Sequence, residues 1–490
     1  MTQHTATVAG VAVDTRHWIG GERVASAATF TDESPIDGRV LAEIARGGQA
    51  EADAAVAAAR AAFPGWAATP PAERARLLRA IADGVGKRLE ELAIVETTDN
   101  GALLRSHRRG VMPRVAHNFR FFADWLDGLA HDDFDTRGHT NHVSWDPAGP
   151  CVLITPWNAP LMLATWKAAP ALAAGNSVIL KPAEWSPLTA SLLADIAAEA
   201  GLPPGVLNVV QGYGAEAGNA LVAHPGVRRI SFTGSVPTAQ RIAQAAAANL
   251  VPAGFELGGK SPLLVFADAD LGLAVDLAVE QYDNAGQVCL AATRLLVESS
   301  IAEEFTRRFA AKASRLRQGD PREEATDLGP NIHARQVEKI DGFVRRALEA
   351  GARAVVGGGP NTDLGGLYYR PTLLTDVAQD SEIVQEEVFG PVLTLQTFDT
   401  EEEAVRLANG TRFGLAATLA TGDRERAERV TARLVAGTVW VNCFFVRDLR
   451  APFGGSRESG VGREGGTWSF DFYCDVKNTV TAPKGWTDHG

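Results

Sequence analysis

Apolar positions in the first third of the chain recur at intervals of three and four. After a Trp-Ile-Gly-Gly stretch at 18–21 and some polar turns, the alanine-rich region 51–101 sets Ala75, Leu78, Ile81 and Ala82 at helical spacing, which predicts several helices. Pro70 and Pro71 open one of them, because a proline in the first turn forfeits no internal hydrogen bond. A further helical run, 113–129, carries Val115, Phe119, Phe122 and Leu126 on one face that packs inward, and it ends in the polar segment 131–142.

From Pro150 the pattern becomes short apolar runs alternating with helix-length segments: 151–155, 177–181, 205–212, 228–234 and 261–266. Such runs, rich in β-branched residues and separated by helices, predict a doubly wound parallel sheet covered on both faces, an α/β architecture suited to a nucleotide. A second alternating series follows Lys260, with strand candidates at 295–299, 351–358, 369–377, 391–398 and 437–442, and it predicts a second α/β domain. The tail from Lys477 is too short for a domain and suits an arm that pairs with a neighbour.

At 490 residues the chain is too long for one compact core, so two or three domains are expected. The excess of 59 acidic over 47 basic side chains, with no basic stripe, argues against nucleic-acid binding. No apolar run approaches the roughly 18 residues of a membrane helix, and the first residues lack the pattern of a signal peptide, so a cytoplasmic location without membrane contact is expected. Cys151, Cys289, Cys443 and Cys474 are too scattered for a disulfide framework, and the 10 histidines form no metal-binding pattern, so no metal is expected.

Several residues sit where chemistry could occur. Cys289, in Asn-Ala-Gly-Gln-Val-Cys, lies at a junction where backbone N–H groups could lower a thiol pKa and bind an oxyanion. Glu256 enters a turn with two glycines and could activate water, and Asn158, after the first strand of the α/β series, could donate to an oxyanion. Glu184, in Lys-Pro-Ala-Glu after the second strand, could hold a ribose, while Phe-Thr-Gly-Ser at 232–235 opens a helix and could face a phosphate. Each has an ordinary alternative when taken alone: a buried structural thiol, a surface charge, a turn residue. A Gly-x-Gly-x-x-Gly fingerprint after a strand is missing.

Taken together, the segments PWNAP at Pro156, KPAE at Lys181, FTGS at Phe232, ELGGKSP at Glu256, GQVC at Gly286, EEVFGPV at Glu386, PFGG at Pro452 and GRE at Gly462 resemble the aldehyde dehydrogenase superfamily, in that family's order and over nearly the whole chain. The resemblance implies a Rossmann-like NAD-binding domain at 1–130 and 148–257, a catalytic domain at 258–455, and a bridging arm at 131–147 and 476–490 that builds homodimers or homotetramers. It places Cys289 as nucleophile, Glu256 as general base and Asn158 as oxyanion donor with the Cys289 N–H. Lys167 and Glu464 match positions linked to proton movement. Trp157, Lys181, Glu184, Gly214, Gly234, Ser235, Glu387 and Phe389 fall where the family holds NAD, and Glu184 favours it over NADP. Two departures stand out: Ala239 replaces a usual glycine, and Leu290 replaces a usual small polar residue or cysteine.

The stretches 117–123 and 446–450, with GREGG and SFDFY, look like the subgroup that oxidises 2-hydroxymuconate, 2-aminomuconate and 5-carboxymethyl-2-hydroxymuconate semialdehydes. In that subgroup Arg114, Arg447 and Trp166 line the substrate channel, and arginine is the side chain shaped to grip a carboxylate with two hydrogen bonds. The implied substrate is therefore a small aldehyde carrying a carboxylate. The alternatives are a neutral aromatic or aliphatic aldehyde, with Arg114 on a solvated helix face and Arg447 paired to Asp448, or a scaffold that has lost catalysis.

Overall fold

The computed structural model describes residues 4–128 and 132–486. Leu129 of the expected helix, and His131 and 487–490 of the expected arm, lie outside the described residues. The five parallel strands of the first sheet run in the order Ala253–Glu256, Arg229–Thr233, Cys151–Ile154, Val178–Lys181, Leu207–Val209, with antiparallel strands beyond both edges. Cys151–Ile154 comes first in the chain yet lies at the centre, so the winding reverses between it and Arg229–Thr233. At such a reversal the loops that follow neighbouring strands part and leave a crevice.

The second sheet, seven strands, is built around the parallel set Thr372–Thr375, Val392–Phe398, Arg294–Glu298, Pro262–Val265, Ala416–Ala420 and Thr438–Val441. The apolar run at 261–266 therefore belongs to this sheet and not, as its pattern suggested, to the first. The fifth parallel strand of the first sheet is Ala253–Glu256 instead, whose short AGFE sequence gives little periodic signal. A third, antiparallel sheet joins Asp132–Thr136, His139–Pro147 and Cys474–Thr481, so the tail pairs first with its own chain.

Helices cover the first sheet as the apolar spacing requires. Pro71 starts Pro71–Lys87, which buries Ala75, Leu78, Ile81 and Ala82. Helix Met112–Asp127 buries Val115, Phe119, Phe122 and Leu126 and turns Arg114 to its other side. Pro160–Ala173 begins directly after the central strand's loop and is buried along most of its length, Trp166 and Lys167 included. No helix among the described residues is long and apolar enough to cross a membrane.

Candidate active site

The reacting-group candidates converge because each follows a strand. Asn158 lies in the loop after the central strand Cys151–Ile154, Thr233 and Gly234 in or after Arg229–Thr233, and Glu256 ends Ala253–Glu256. From the second sheet comes the turn before Arg294–Glu298, where Asn284, Ala285 and Gly286 have φ of 50°, 54° and 72°. That left-handed bend folds the chain back and presents Cys289. Asn158, Glu256, Cys289, Glu464 and Arg447 all line one tunnel, whose walls include Leu103, Met162, Trp166, Phe445 and Phe453.

Asn158 Nδ2 donates to the Gln287 carbonyl at 2.9 Å, two residues before the thiol, and the Cys289 N–H faces its own sulfur. Asn158 and Cys289 thus line the same cavity, with the Asn158 amide tied to the turn that carries the thiol. Burial and the carboxylates of Glu387 and Glu256 push the Cys289 thiol up to about 12, against the pull of Arg447. This corrects the expectation that the junction lowers its pKa: the local N–H groups are outweighed by desolvation and two acidic neighbours.

Glu256 is 6% exposed, and its Oε2 has no hydrogen-bond partner. A Cβ at Gly454 would lie 2.7 Å from Glu256 Oε1, so the glycine leaves room for the carboxylate. Burial first, and then the facing Glu464, hold the Glu256 carboxyl well above the usual carboxylate range. Beside it, Lys167 Nζ donates to Glu464 Oε1 at 2.6 Å and to Ser231 Oγ at 2.9 Å, forming a buried polar cluster that opens onto the tunnel at Glu464.

At the tunnel mouth, Arg447 lies 3.6 Å over the Phe453 ring and 4.2 Å over Trp166, and Arg114 lies 5.5 Å over the same indole. Asp448 pairs with Arg450 at 2.6 Å, not with Arg447. Neither Arg447 nor Arg114 has an ion-pair partner among the described residues, and Arg447 Nη2 is buried without a hydrogen bond. Burial and the neighbouring Arg114 lower the Arg447 guanidinium to about 10. Asp448 acts on Arg114 and Glu256 and Glu464 act on Arg447 only from beyond ion-pair distance, so both guanidinium groups keep donors able to take a carboxylate.

Of the expected cofactor residues, Lys181, Glu184, Gly214, Gly234 and Ser235 lie at or after the carboxyl ends of strands of the first sheet. Lys181 Nζ contacts Glu184 at 3.3 Å. Helix Val236–Ala247 starts at Ser235 without a side-chain cap, leaving its first N–H groups free for an anion. A Cβ at Gly234 would collide with the Phe232 ring, whereas one at Gly214 would meet open space. An aromatic chain runs Trp185–His333 at 4.3 Å, His333–Trp157 at 6.4 Å and Trp157–Phe389 at 5.3 Å between ring centres, joining the Glu184 side to the Glu387 side. Glu387 Oε1 accepts from the Gly259 N–H at 3.0 Å, and a Cβ at Gly258 would strike its carboxylate. The substituted Ala239 is buried in the core beneath this helix, so its methyl group points away from the crevice.

His333, Trp185, Asn284 and Gln287 were not singled out from the sequence. Asn284 and Gln287 stand in the stretch that flags Cys289, but a polar residue before a cysteine reads as ordinary loop. His333 and Trp185 lack any local pattern and meet only through folding.

Compared with known proteins, residues 23–479 match the model described as "Aldehyde dehydrogenase family". The chain is 45% identical to a 2-hydroxymuconic semialdehyde dehydrogenase of Pseudomonas sp. (strain CF600), over 94% of this chain and 98% of that one. It is 44% identical to a 5-carboxymethyl-2-hydroxymuconate semialdehyde dehydrogenase of Escherichia coli, over 92% and 98% of the two chains. Among solved structures, an indole-3-acetaldehyde dehydrogenase complexed with NAD+ superposes with a TM-score of 0.95 at 40% identity, over 96% of this chain and 97% of that one.

Proposed function

Because the chain belongs to the aldehyde dehydrogenase family, we propose that it oxidises an aldehyde bearing a remote carboxylate to the corresponding acid, using NAD and a thioester on Cys289. The observation that carries the substrate class is the pair of arginines without an ion-pair partner among the described residues: Arg447 lines the cavity that holds Cys289, Arg114 lines the cleft adjoining it, and both lie over Trp166. Relatives named for muconic semialdehydes, which carry such a carboxylate, support the same reading.

The residues fit the dinucleotide. The uncapped start of Val236–Ala247 suits a pyrophosphate, the open space at Gly214 leaves room for it, and Lys181 with Glu184 suits the ribose hydroxyls. Glu184 would repel a 2′-phosphate, which favours NAD over NADP. Trp157, Glu387 and Phe389 close the end nearest Cys289. When bound, NAD supplies the acceptor for the aldehyde's hydride.

The chain's own residues do the rest. Glu256 takes the proton from the Cys289 thiol, and the sulfur attacks the carbonyl carbon. The oxyanion that forms receives the Asn158 amide and the Cys289 N–H, donors fixed before the charge appears. Glu256 then passes its proton to Glu464, whose carboxylate Lys167 holds, and deprotonates the water that adds to the thioester carbonyl; the C–S bond breaks, the acid leaves, and the proton on Glu256 returns to the Cys289 sulfur. Trp166 and the two arginines hold the far carboxylate so that the aldehyde end reaches Sγ. Residues 1–130 with 148–257 hold the cofactor, 258–455 supply the nucleophile, and the arm at 131–147 and 476–490 joins copies into a dimer or tetramer. The free edge of strand Cys474–Thr481, with Val476 and Val480 exposed, supports the last point.

The test is NADH formation with 2-hydroxymuconate semialdehyde against benzaldehyde. A preference for the acidic substrate is expected. The reverse order would leave the dehydrogenase chemistry intact and remove the carboxylate clamp.

A further inference from the structure

We propose that Asn284 and Gln287 are positioning residues: with Asn158 they close a ring of three side-chain amides that aims the Asn158 amide at the oxyanion and holds the backbone leading to Cys289. This rests on the oxyanion role proposed for Asn158. Each amide nitrogen in the ring donates to the backbone carbonyl of the next member. Asn158 Nδ2 reaches Gln287 O at 2.9 Å, Gln287 Nε2 reaches Asn284 O at 3.0 Å, and Asn284 Nδ2 returns to Asn158 O at 3.1 Å.

The chemistry of the partners sets the orientation of all three. A backbone carbonyl only accepts, so the nitrogen of each amide, not its oxygen, faces inward. On Gln287 the remaining oxygen, Oε1, accepts the Ile332 N–H at 3.0 Å, which fixes that side chain from both ends. An amide nitrogen carries two hydrogens, and the ring uses one of Asn158's. The other is left for the tunnel that Asn158 lines, at an angle the first bond dictates.

The ring also stabilises an unfavourable stretch of backbone. Asn284 and Ala285 have φ of 50° and 54°, a region that side chains with a Cβ rarely enter. The Asn284 carbonyl takes both the Gln287 N–H at 3.1 Å and Nε2 at 3.0 Å, so both its lone pairs are used in this bend. Ile332 precedes His333, whose ring meets Trp157 and Trp185, so the ring ties the nucleophile turn, the Asn158 loop and the cofactor-side aromatic chain together. Gln287 is 1% exposed, and water does not compete for its bonds.

The experiment is a double-mutant cycle on the full chain. Gln287→Met keeps the length of the side chain and removes both bonds, and Asn284→Asp keeps the shape and removes the donor. In the parent, each is expected to lower kcat at least about 10-fold with KM for NAD and for aldehyde within about 2-fold. In an Asn158→Ala background only the hold on the backbone before Cys289 remains, so each is expected to lower kcat clearly less than in the parent, by no more than about 3-fold. Equal losses in both backgrounds, or none in the parent, overturn the proposal. If Asn158→Ala alone loses no activity, it is the oxyanion assignment that has failed. Should Gln287→Met not fold, Asn284→Asp decides by the same comparison.

Discussion

Glu256 is placed where a carboxylate is least comfortable, buried and facing Glu464, and the discomfort has a measurable sign. A carboxyl whose pKa is raised keeps its proton to higher pH, so the base is absent at low pH. The acid limb of kcat is therefore expected well above the ordinary carboxylate range near 4, and Glu256→Gln should abolish both that limb and most turnover in a pH–rate profile. Asn158→Ala removes one preorganised donor, for which the barrier rises by about 2.7 to 4 kcal/mol; NADH formation should slow on the order of 100-fold or more while the fold is retained. Arg447→Ala deletes a charge-assisted contact of about 1.5 to 3 kcal/mol, so KM for an acidic semialdehyde should rise roughly 10- to 100-fold while that for benzaldehyde stays level. At this scale residue type alone left Cys289 and Glu256 open, and the expectation for them came from the resemblance carried by the motifs around them. The sequence was misleading about the thiol's pKa, because that depends first on burial and then on Glu387 and Glu256, which are remote in the chain.

Elements were legible in proportion to their periodicity. The amphipathic faces of Pro71–Lys87 and Met112–Asp127 repeat over three turns or more and could be assigned from spacing alone. Ala253–Glu256 and Ala416–Ala420, short and rich in small residues, could not. Phe119, 1% exposed in Met112–Asp127, anchors the helix that carries Arg114, and Phe119→Ala should cost about 3 to 5 kcal/mol in urea unfolding. Ala239 is the more informative case. In sequence it replaces the glycine that the family resemblance leads one to expect, and its methyl group packs into the core on the buried face of Val236–Ala247. Ala239→Gly should leave KM for NAD unchanged and destabilise the fold by about 1 kcal/mol, the cost of glycine inside a helix.

For the whole molecule, the third sheet is held to the first by Arg229, which donates to the Phe472 carbonyl at 2.6 Å and pairs with Asp475 at 2.6 Å. Its last strand keeps an unpaired edge among the described residues, and lysines on an edge strand block pairing with another chain. Val476→Lys with Val480→Lys should therefore shift the protein to smaller species in light scattering. The α/β class, the helices, and the candidates Cys289, Glu256 and Asn158 could be read from the linear chain, since periodicity and motif spacing are local properties. The choice of Ala253–Glu256 as the fifth parallel strand of the first sheet, the meeting of Asn158 with Gln287, and the isolation of Arg447 from its neighbour Asp448 were settled only by folding. Each depends on which of several chemically adequate partners lies within hydrogen-bond reach, and that distance is a property of packing between segments more than a hundred residues apart or of a side chain's direction, neither of which spacing along the chain encodes.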